Sequence, residues 1–152
     1  MRALVQRVAR CTVSIDGALH SETGAGMLVL LGVTTSDGEA EAQALAEKCA
    51  KLRIFDDDQG KMNINVQDAG GDAMVVSQFT LYGDTRRGNR PSYTEAAPPE
   101  QAEHLYDAFV RTLRGLLGSE RVKTGVFKAM MQIELVNDGP VTLLLESKQQ
   151  PS

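Results

Sequence analysis

Two cysteines and two histidines in 152 residues leave this chain poor in the side chains that usually carry metal, redox or nucleophilic chemistry. Cys11 and Cys49 lie far apart, outside any Cys-x-x-Cys pattern, and both occupy apolar positions, which reads as buried free thiols. His20 and His104 lack ligand spacing, so neither a metal site nor a cofactor is expected. A Gly-x-Ser-x-Gly elbow is missing, as is any Ser-His-Asp pattern, which weighs against a small-molecule esterase of the usual kind. No apolar run approaches the roughly 20 residues of a membrane span. Arg2 and Arg7 break the apolar stretch that a signal peptide would need, so the expected location is the cytoplasm with no membrane partner. A formal charge of −4 excludes a general nucleic-acid coat protein and leaves room for a local basic patch at one end of an RNA.

What remains is an ordinary globular composition, 42% hydrophobic and 24% charged, in a length that suits one domain. Residues 2–33 read as a β-meander. Cys11, Val13 and Ile15 alternate with polar neighbours, Asp16-Gly17 signals a tight turn, and Met27 to Val33 is a continuous apolar strand covered on both faces. Ser36 and Glu39 fit a capping box ahead of a helix with Ala42, Leu45, Ala46, Cys49 and Leu52 on its apolar face. Arg53-Ile54-Phe55 reads as a short strand. Asp56-Asp57-Asp58 lacks calcium-loop spacing and reads as a solvated acidic turn. A strand over 73–81 follows. A second helix opens at Pro98-Pro99-Glu100, buries Ala102, Leu105, Phe109, Leu113 and Leu116, and stops at Gly118. Alternating strands resume at Met131. The expectation is a single α/β domain over 1–147, a three-layer β/β/α sandwich with mostly antiparallel sheets and two main helices, followed by a polar tail at 148–152.

Three features could carry chemistry. Ser77-Gln78-Phe79-Thr80-Leu81 brings an amide and two hydroxyls to the end of an apolar strand, where they need partners from the fold or from a ligand. Thr80 reads as a structural residue, a positioning hydroxyl or a nucleophile; the last needs a base, and no His or Lys lies nearby in sequence. The loop Gly83 to Pro91 holds Arg86, Arg87 and Arg90, either a solvated cluster or contacts to phosphate, and Tyr82 and Tyr93 could stack on a base or cover the core. Asn137-Asp138-Gly139-Pro140 reads either as a hairpin turn or as a rigid element. In the second case a cis Gly139-Pro140 bond would aim two carbonyls one way, and Gly139 would let backbone approach a ligand closely.

Leu52-Arg53-Ile54-Phe55, Gly60-Lys61-Met62-Asn63, Ser77 to Leu81, Arg90-Pro91-Ser92 and Asn137 to Thr142 occur in order behind an opening Met-Arg-Ala-Leu-Val-Gln-Arg-Val. Together they resemble the D-aminoacyl-tRNA deacylases, also called D-tyrosyl-tRNA(Tyr) deacylases, from Met1 to about Glu146. The resemblance implies a homodimer whose active site lies at the subunit interface and which hydrolyses the ester between a D-amino acid and the aminoacylated 3′ end of tRNA. Glycyl esters of mischarged tRNA would also be accepted. By that resemblance Ser77, Gln78, Phe79 and Thr80 of one subunit face Gly139 and Pro140 of the other. The amides of Phe79 and Thr80 would receive the ester carbonyl, and the tRNA 2′-hydroxyl would assist water. Arg7 would orient the Gly-Pro element, Phe127 and Met131 would line the amino-acid pocket, and the L side chain would be excluded by the Gly139-Pro140 carbonyls. Lys128 and Met130 depart from the family pattern at the pocket rim. A non-catalytic module that binds the tRNA acceptor end is the alternative from another class.

Overall fold

The computed structural model describes residues 1–147; the expected polar tail at 148–152 lies outside the described residues. Strand β1 (Arg2–Ile15) turns at Asp16-Gly17 into β2 (Ala18–Thr23), and β3 (Gly26–Gly32) follows. Asp16 and Gly17 both have positive φ, 52° and 79°, the signature of a two-residue hairpin turn whose twist matches its strands. The three strands are not a meander. Residues 11–15 of β1 pair with β2 and residues 2–8 pair with β3, while β8 (Gln132–Glu146) pairs along both stretches. A strand has two edges, so β2 and β3 lie end to end on the edge that β8 leaves open. The apolar alternation was legible; which edge each strand takes was not.

Beyond β3 come β6 (Asp72–Ser77) and β7 (Val122–Thr124), both joined in parallel, which completes a six-stranded sheet. A separate hairpin is formed by β4 (Phe55–Asp56) and β5 (Met62–Ile64). Its turn is ordered by the Asp57 carboxylate, which accepts from the Gln59 and Lys61 amides at 2.9 and 3.0 Å and is held below the usual carboxylate range by those bonds.

Two helices cover one face. Helix α1 (Glu39–Lys51) begins two residues later than the Ser36 capping box predicts: Gly38 is the N-cap, and its amide donates to the Glu41 side chain at 2.8 Å. Helix α2 (Pro99–Leu117) starts with proline in its first turn and ends at Gly118, whose φ of 98° suits glycine. Residues Val5, Met27, Val29, Leu31, Ala73 and Val75 of the sheet bury against Leu45, Cys49, Phe109 and Leu113 of the helices. The alternate residues Leu28, Leu30, Met74 and Val76 face the other way. There they meet Val8, Cys11 and Val13 of β1 and Met131, Ile133 and Leu135 around the start of β8. The far half of β1 and the near half of β8 therefore fold across the second face. The β/β/α layering is present, and both β layers are parts of one sheet bent through its two longest strands. Pairing is antiparallel except for β3 with β6 and β6 with β7.

The bend in β8 coincides with Asn137 to Val141. Between the pairs Gln6 with Thr142 and Arg10 with Val136, β1 spans three residues (7–9) and β8 spans five (137–141). The Gly139-Pro140 bond is cis and lies in this two-residue excess. The hairpin-turn reading is thus corrected: the segment is a bulge inside one strand, paired with β1 on both sides. Asn137 staples it, accepting from the Val141 amide at 2.8 Å and donating to Thr142 Oγ1 at 3.0 Å.

Candidate active site

The strand expected over 73–81 ends at Ser77. The Gln78 amide makes one more ladder bond, to the Leu31 carbonyl at 2.8 Å, and residues Phe79–Tyr82 then form a single 3-10 turn. Gly32 of β3 makes room for it, since a Cβ there would sit 3.0 Å from Leu81 Cβ and 3.1 Å from the Gln78 carbonyl oxygen. The first hydrogen bond of the turn runs from the Leu81 amide to the Gln78 carbonyl, at 3.3 Å. The amides of Phe79 and Thr80 precede it and have no acceptor within the turn. Among the described residues no other acceptor takes them. Two adjacent unfilled N–H groups, one of them on the cavity-lining Phe79, are suited to a carbonyl oxygen that gains negative charge.

The cavity beside them holds about 830 Å³ and is lined by Ser77, Gln78, Phe79, Phe127, Met131 and Tyr93, with the Ala96 to Pro99 segment and Ala102 behind. Tyr93 and Phe79 stack obliquely with ring centroids 5.1 Å apart. Phe127 lies 6.2 Å from Tyr106, whose hydroxyl donates to the Val75 carbonyl at 2.7 Å and is pushed above its ordinary pKa by burial. Lys128 is the one charged residue on the cavity wall, at the rim, with φ of 68°. The walls are otherwise neutral and mostly apolar, as a pocket for an amino-acid side chain would be.

Thr80 does not line this cavity. Its hydroxyl accepts a hydrogen bond from the Gln78 side-chain amide, which has no basic lone pair with which to remove the hydroxyl proton. Among the described residues no cluster of His, Cys, Asp or Glu could hold a metal ion. Burial raises the Cys11 and Cys49 thiols to about 11 and about 12, the latter lowered slightly by Lys48, so both stay protonated and inert.

Arg7, Gly139 and Pro140 do not line this cavity. Arg7 is largely buried: its Nε donates to the Asp138 carbonyl at 2.7 Å and its Nη1 to the Ile54 carbonyl at 2.8 Å. It thereby fastens the β8 bulge to the β4 hairpin. Gly139 has φ of 154°, and a Cβ there would meet the Val141 amide nitrogen at 2.7 Å, so glycine is required by both conformation and space.

The arginine loop divides. Arg86 grips Asp84 through Nε and Nη2 at 2.9 and 2.8 Å, which depresses the Asp84 carboxyl to about 2, and the loop closes through the Asp84–Ser92 bridge. Arg87 and Arg90 are exposed and have no ion-pair partner among the described residues. Two contributors escaped sequence reasoning. Arg2 donates to the Leu81 carbonyl, and Asn137 staples the bulge. Neither had a distinguishing local signal: Arg2 reads as a polar position in an alternating strand, and Asn137 as a turn residue.

Comparison with known proteins places the chain. A D-aminoacyl-tRNA deacylase of Anaeromyxobacter dehalogenans (strain 2CP-C) is 58% identical over 151 residues, covering 98% of this chain and 99% of that protein. One from Koribacter versatilis (strain Ellin345) is 55% identical over 152 residues, with 99% of each covered. A solved c-Myc DNA Unwinding Element Binding Protein superposes with a TM-score of 0.94 at 41% identity, over 98% of this chain and 100% of that one. A probable eukaryotic D-amino acid tRNA deacylase shares the fold, with a TM-score of 0.82 at 15% identity over 95% of this chain and 97% of that one. The sequence profile of the D-Tyr-tRNA(Tyr) deacylases matches residues 4–146, and the chain belongs to that family of hydrolases.

Proposed function

We propose that this protein removes D-amino acids from tRNA by hydrolysing the ester at the terminal ribose, and that Gly139 and Pro140 of a partner subunit reject L-aminoacyl esters. The observation that carries the mechanism is the pair of unfilled amides at Phe79 and Thr80 beside an apolar cavity. On this reading the amides hold the ester carbonyl and stabilise the tetrahedral oxyanion. Phe127 and Met131 surround the amino-acid moiety, and Ser77 and Gln78 form the wall beneath it. No base stands beside Thr80, so the 2′-hydroxyl of the tRNA itself assists the attacking water, and Thr80 positions rather than attacks. Attack by water at the carbonyl carbon gives the tetrahedral species, whose collapse expels the ribose oxygen and frees a carboxylate.

Chirality follows from which side of the α-carbon is blocked. The Arg7 anchor supports a role for the β8 bulge as a fixed probe, because the bulge is held by a buried guanidinium and an asparagine staple yet touches nothing in its own cavity. Large apolar residues on or near that surface, Val136, Leu143 and Leu144, are 41%, 42% and 55% exposed, and Phe79 is 57% exposed, which favours burial against a second copy. In such a homodimer the bulge of each subunit would enter the other's cavity. An achiral glycyl ester, lacking the side chain to be blocked, would pass. Arg87 and Arg90 would contact tRNA phosphates with Arg86 shaping the loop. No helix among the described residues is long and apolar enough to cross a membrane, in keeping with a substrate of the cytoplasm.

The deciding experiment is deacylation of matched D- and L-tyrosyl-tRNA by the purified dimer. Loss of the D ester alone establishes both the reaction and the filter. Tight binding to uncharged tRNA with neither ester cleaved would leave a non-catalytic acceptor-end module, the reading that the missing base otherwise favours. Cleavage of both esters would remove Gly139 and Pro140 from the role of filter.

A further inference from the structure

A short 3-10 turn is a weak scaffold for chemistry. It has few internal hydrogen bonds, poor hydrogen-bond geometry and little tendency to persist alone. Its two free amides keep their direction only if the turn is held from outside. The front of the turn is held by backbone, through the Gln78 amide on the Leu31 carbonyl, and the Thr80 carbonyl accepts from the Gly83 amide at 2.9 Å. The next carbonyl along the turn, that of Leu81, accepts from Arg2 Nη1 at 2.9 Å. Arg2 is the side chain that bonds to the backbone of this turn from another element.

Arg2 is itself fixed on two further sides. Its Nε donates to Glu146 Oε1 at 3.0 Å, across the β1–β8 pair in which Arg2 and Glu146 are partners. Its guanidinium carbon lies 4.4 Å from the centroid of the Tyr82 ring, over the face of a residue that belongs to the turn. The cationic fork therefore stacks on one residue of the turn and holds the carbonyl of its neighbour. On the other edge of β1, Arg2 pairs with Gly32, the residue that makes room for the turn. A positive charge at the carbonyl end of the turn also aligns with its dipole, whose positive end is the Phe79 and Thr80 amides.

We infer that Arg2 is a positioning residue for the reaction: it clamps the Phe79–Tyr82 turn so that the Phe79 and Thr80 amides meet the developing oxyanion. Arg2 is not among the residues that line the cavity, and its bonds go to Leu81 and Glu146, so it acts on the transition state and not on binding of the amino-acid moiety. Lysine at this position keeps the charge but cannot donate in a planar fork to Leu81 and Glu146 while stacking on Tyr82. The inference rests on the amide pair being the oxyanion site.

Three variants test it, with two readouts. Arg2→Gln removes charge and fork, Arg2→Lys keeps the charge, and Glu146→Gln weakens only the lateral support. The expected result for Arg2→Gln is a fall in kcat on D-tyrosyl-tRNA of about tenfold or more with KM unchanged, as for loss of preorganisation near the reacting atoms. Arg2→Lys should recover part of the fall and Glu146→Gln should show the least. The second readout needs no substrate: hydrogen–deuterium exchange in Arg2→Gln should speed up at residues 79–83, with the helices unchanged. Wild-type kcat in a folded Arg2→Gln, or a rise in KM with kcat intact, would overturn the inference. If Arg2→Gln does not fold, Glu146→Gln and Arg2→Lys decide by the same split, and wild-type kcat and exchange in both would overturn it. If the wild-type protein cleaves neither ester, the catalytic reading fails, while exchange still reports whether Arg2 clamps the turn.

Discussion

At the scale of single residues, the proposed mechanism puts more weight on backbone than on side chains. Phe79 offers a direct way to separate the two. Proline fits the first position of a helical turn and Gln78 before it is extended, with φ of −140°, so Phe79→Pro deletes one amide donor with little disturbance. Phe79→Ala keeps the amide and loses the ring. We expect Phe79→Pro to lower kcat on D-tyrosyl-tRNA about 10²–10³-fold, the usual cost of one oxyanion donor, and Phe79→Ala to lower it far less. Equal rates in the two would show that the ring, not the N–H, is what matters. Thr80→Ala should retain turnover, because its hydroxyl is engaged only with the Gln78 amide. Complete loss with tRNA binding intact would make Thr80 the nucleophile.

Titration supplies another check at this scale. Arg86 holds the Asp84 carboxyl at about 2, below the ordinary ~3.9 of an unperturbed aspartate. A depressed folded-state value stabilises the folded loop above the ordinary value and ceases to do so as pH falls toward 2. In a carbon-detected NMR titration Asp84 should therefore still be ionised at pH 3, and Arg86→Ala, which keeps the backbone amide bond to Asp84, should raise its midpoint part of the way toward the ordinary range. A midpoint near 4 in the wild-type protein would mean the pair does not persist in solution.

Elements show where the sequence was readable. Helix α2 was legible in nearly every part: proline at its start, glycine after its end and a stripe at helical spacing between them. Phe109 on that stripe is fully buried, and Phe109→Ala should cost about 3–5 kcal/mol in urea unfolding. A loss under 1 kcal/mol would mean the core collapses around the gap. Strand β8 was legible only in its two halves. Asn137 to Pro140 has the composition of a turn, and local preference says nothing about whether the chain reverses or bulges. The long partner β1 decides, because it pairs on both sides of the interruption and draws the two halves into one strand. Likewise, Ser77 to Leu81 continues an apolar run, yet the strand ends at Ser77 because the neighbouring ladder runs out at Leu31 and Gly32. Removing the staple should show how much the bulge depends on it. Asn137→Ala should cost about 1–3 kcal/mol, since the partners it leaves are partly buried, and should lower deacylation of D-tyrosyl-tRNA. Wild-type stability and activity would assign the bulge geometry to Arg7 alone.

On the proposed reading the site is divided between two copies of the chain. One end of the fold carries the cavity and the unfilled amides, and elsewhere in the same chain Arg7 holds the Gly139-Pro140 bulge. A homodimer would bring them together, and subunit mixing tests this without a structure of the assembly. Gly139→Ala should be inactive, since a Cβ at Gly139 meets the Val141 amide nitrogen and the displaced bulge would intrude on the substrate in the partner's cavity. Phe79→Pro should be inactive for the separate reason given above. Mixed and reassorted, the two should recover about a quarter of wild-type activity, because half of the dimers are mixed and each carries one intact composite site. No recovery, with exchange of subunits verified by native mass spectrometry, would place both elements of a working site in one chain.

The sequence by itself determined the helices, the two-faced burial of the central strands, the inert cysteines and, through motifs spread over the chain, the family. These depend on local periodicity and on residue chemistry that acts wherever the chain goes. Tertiary structure alone decided that β2 and β3 share one edge of β1, that the Gly-Pro segment is a bulge, and that Arg2 closes on a turn 79 residues away. Each of those depends on backbone groups finding partners distant in sequence, and a hydrogen-bond acceptor on the main chain has the same chemistry in every residue, so no residue pattern marks it in advance.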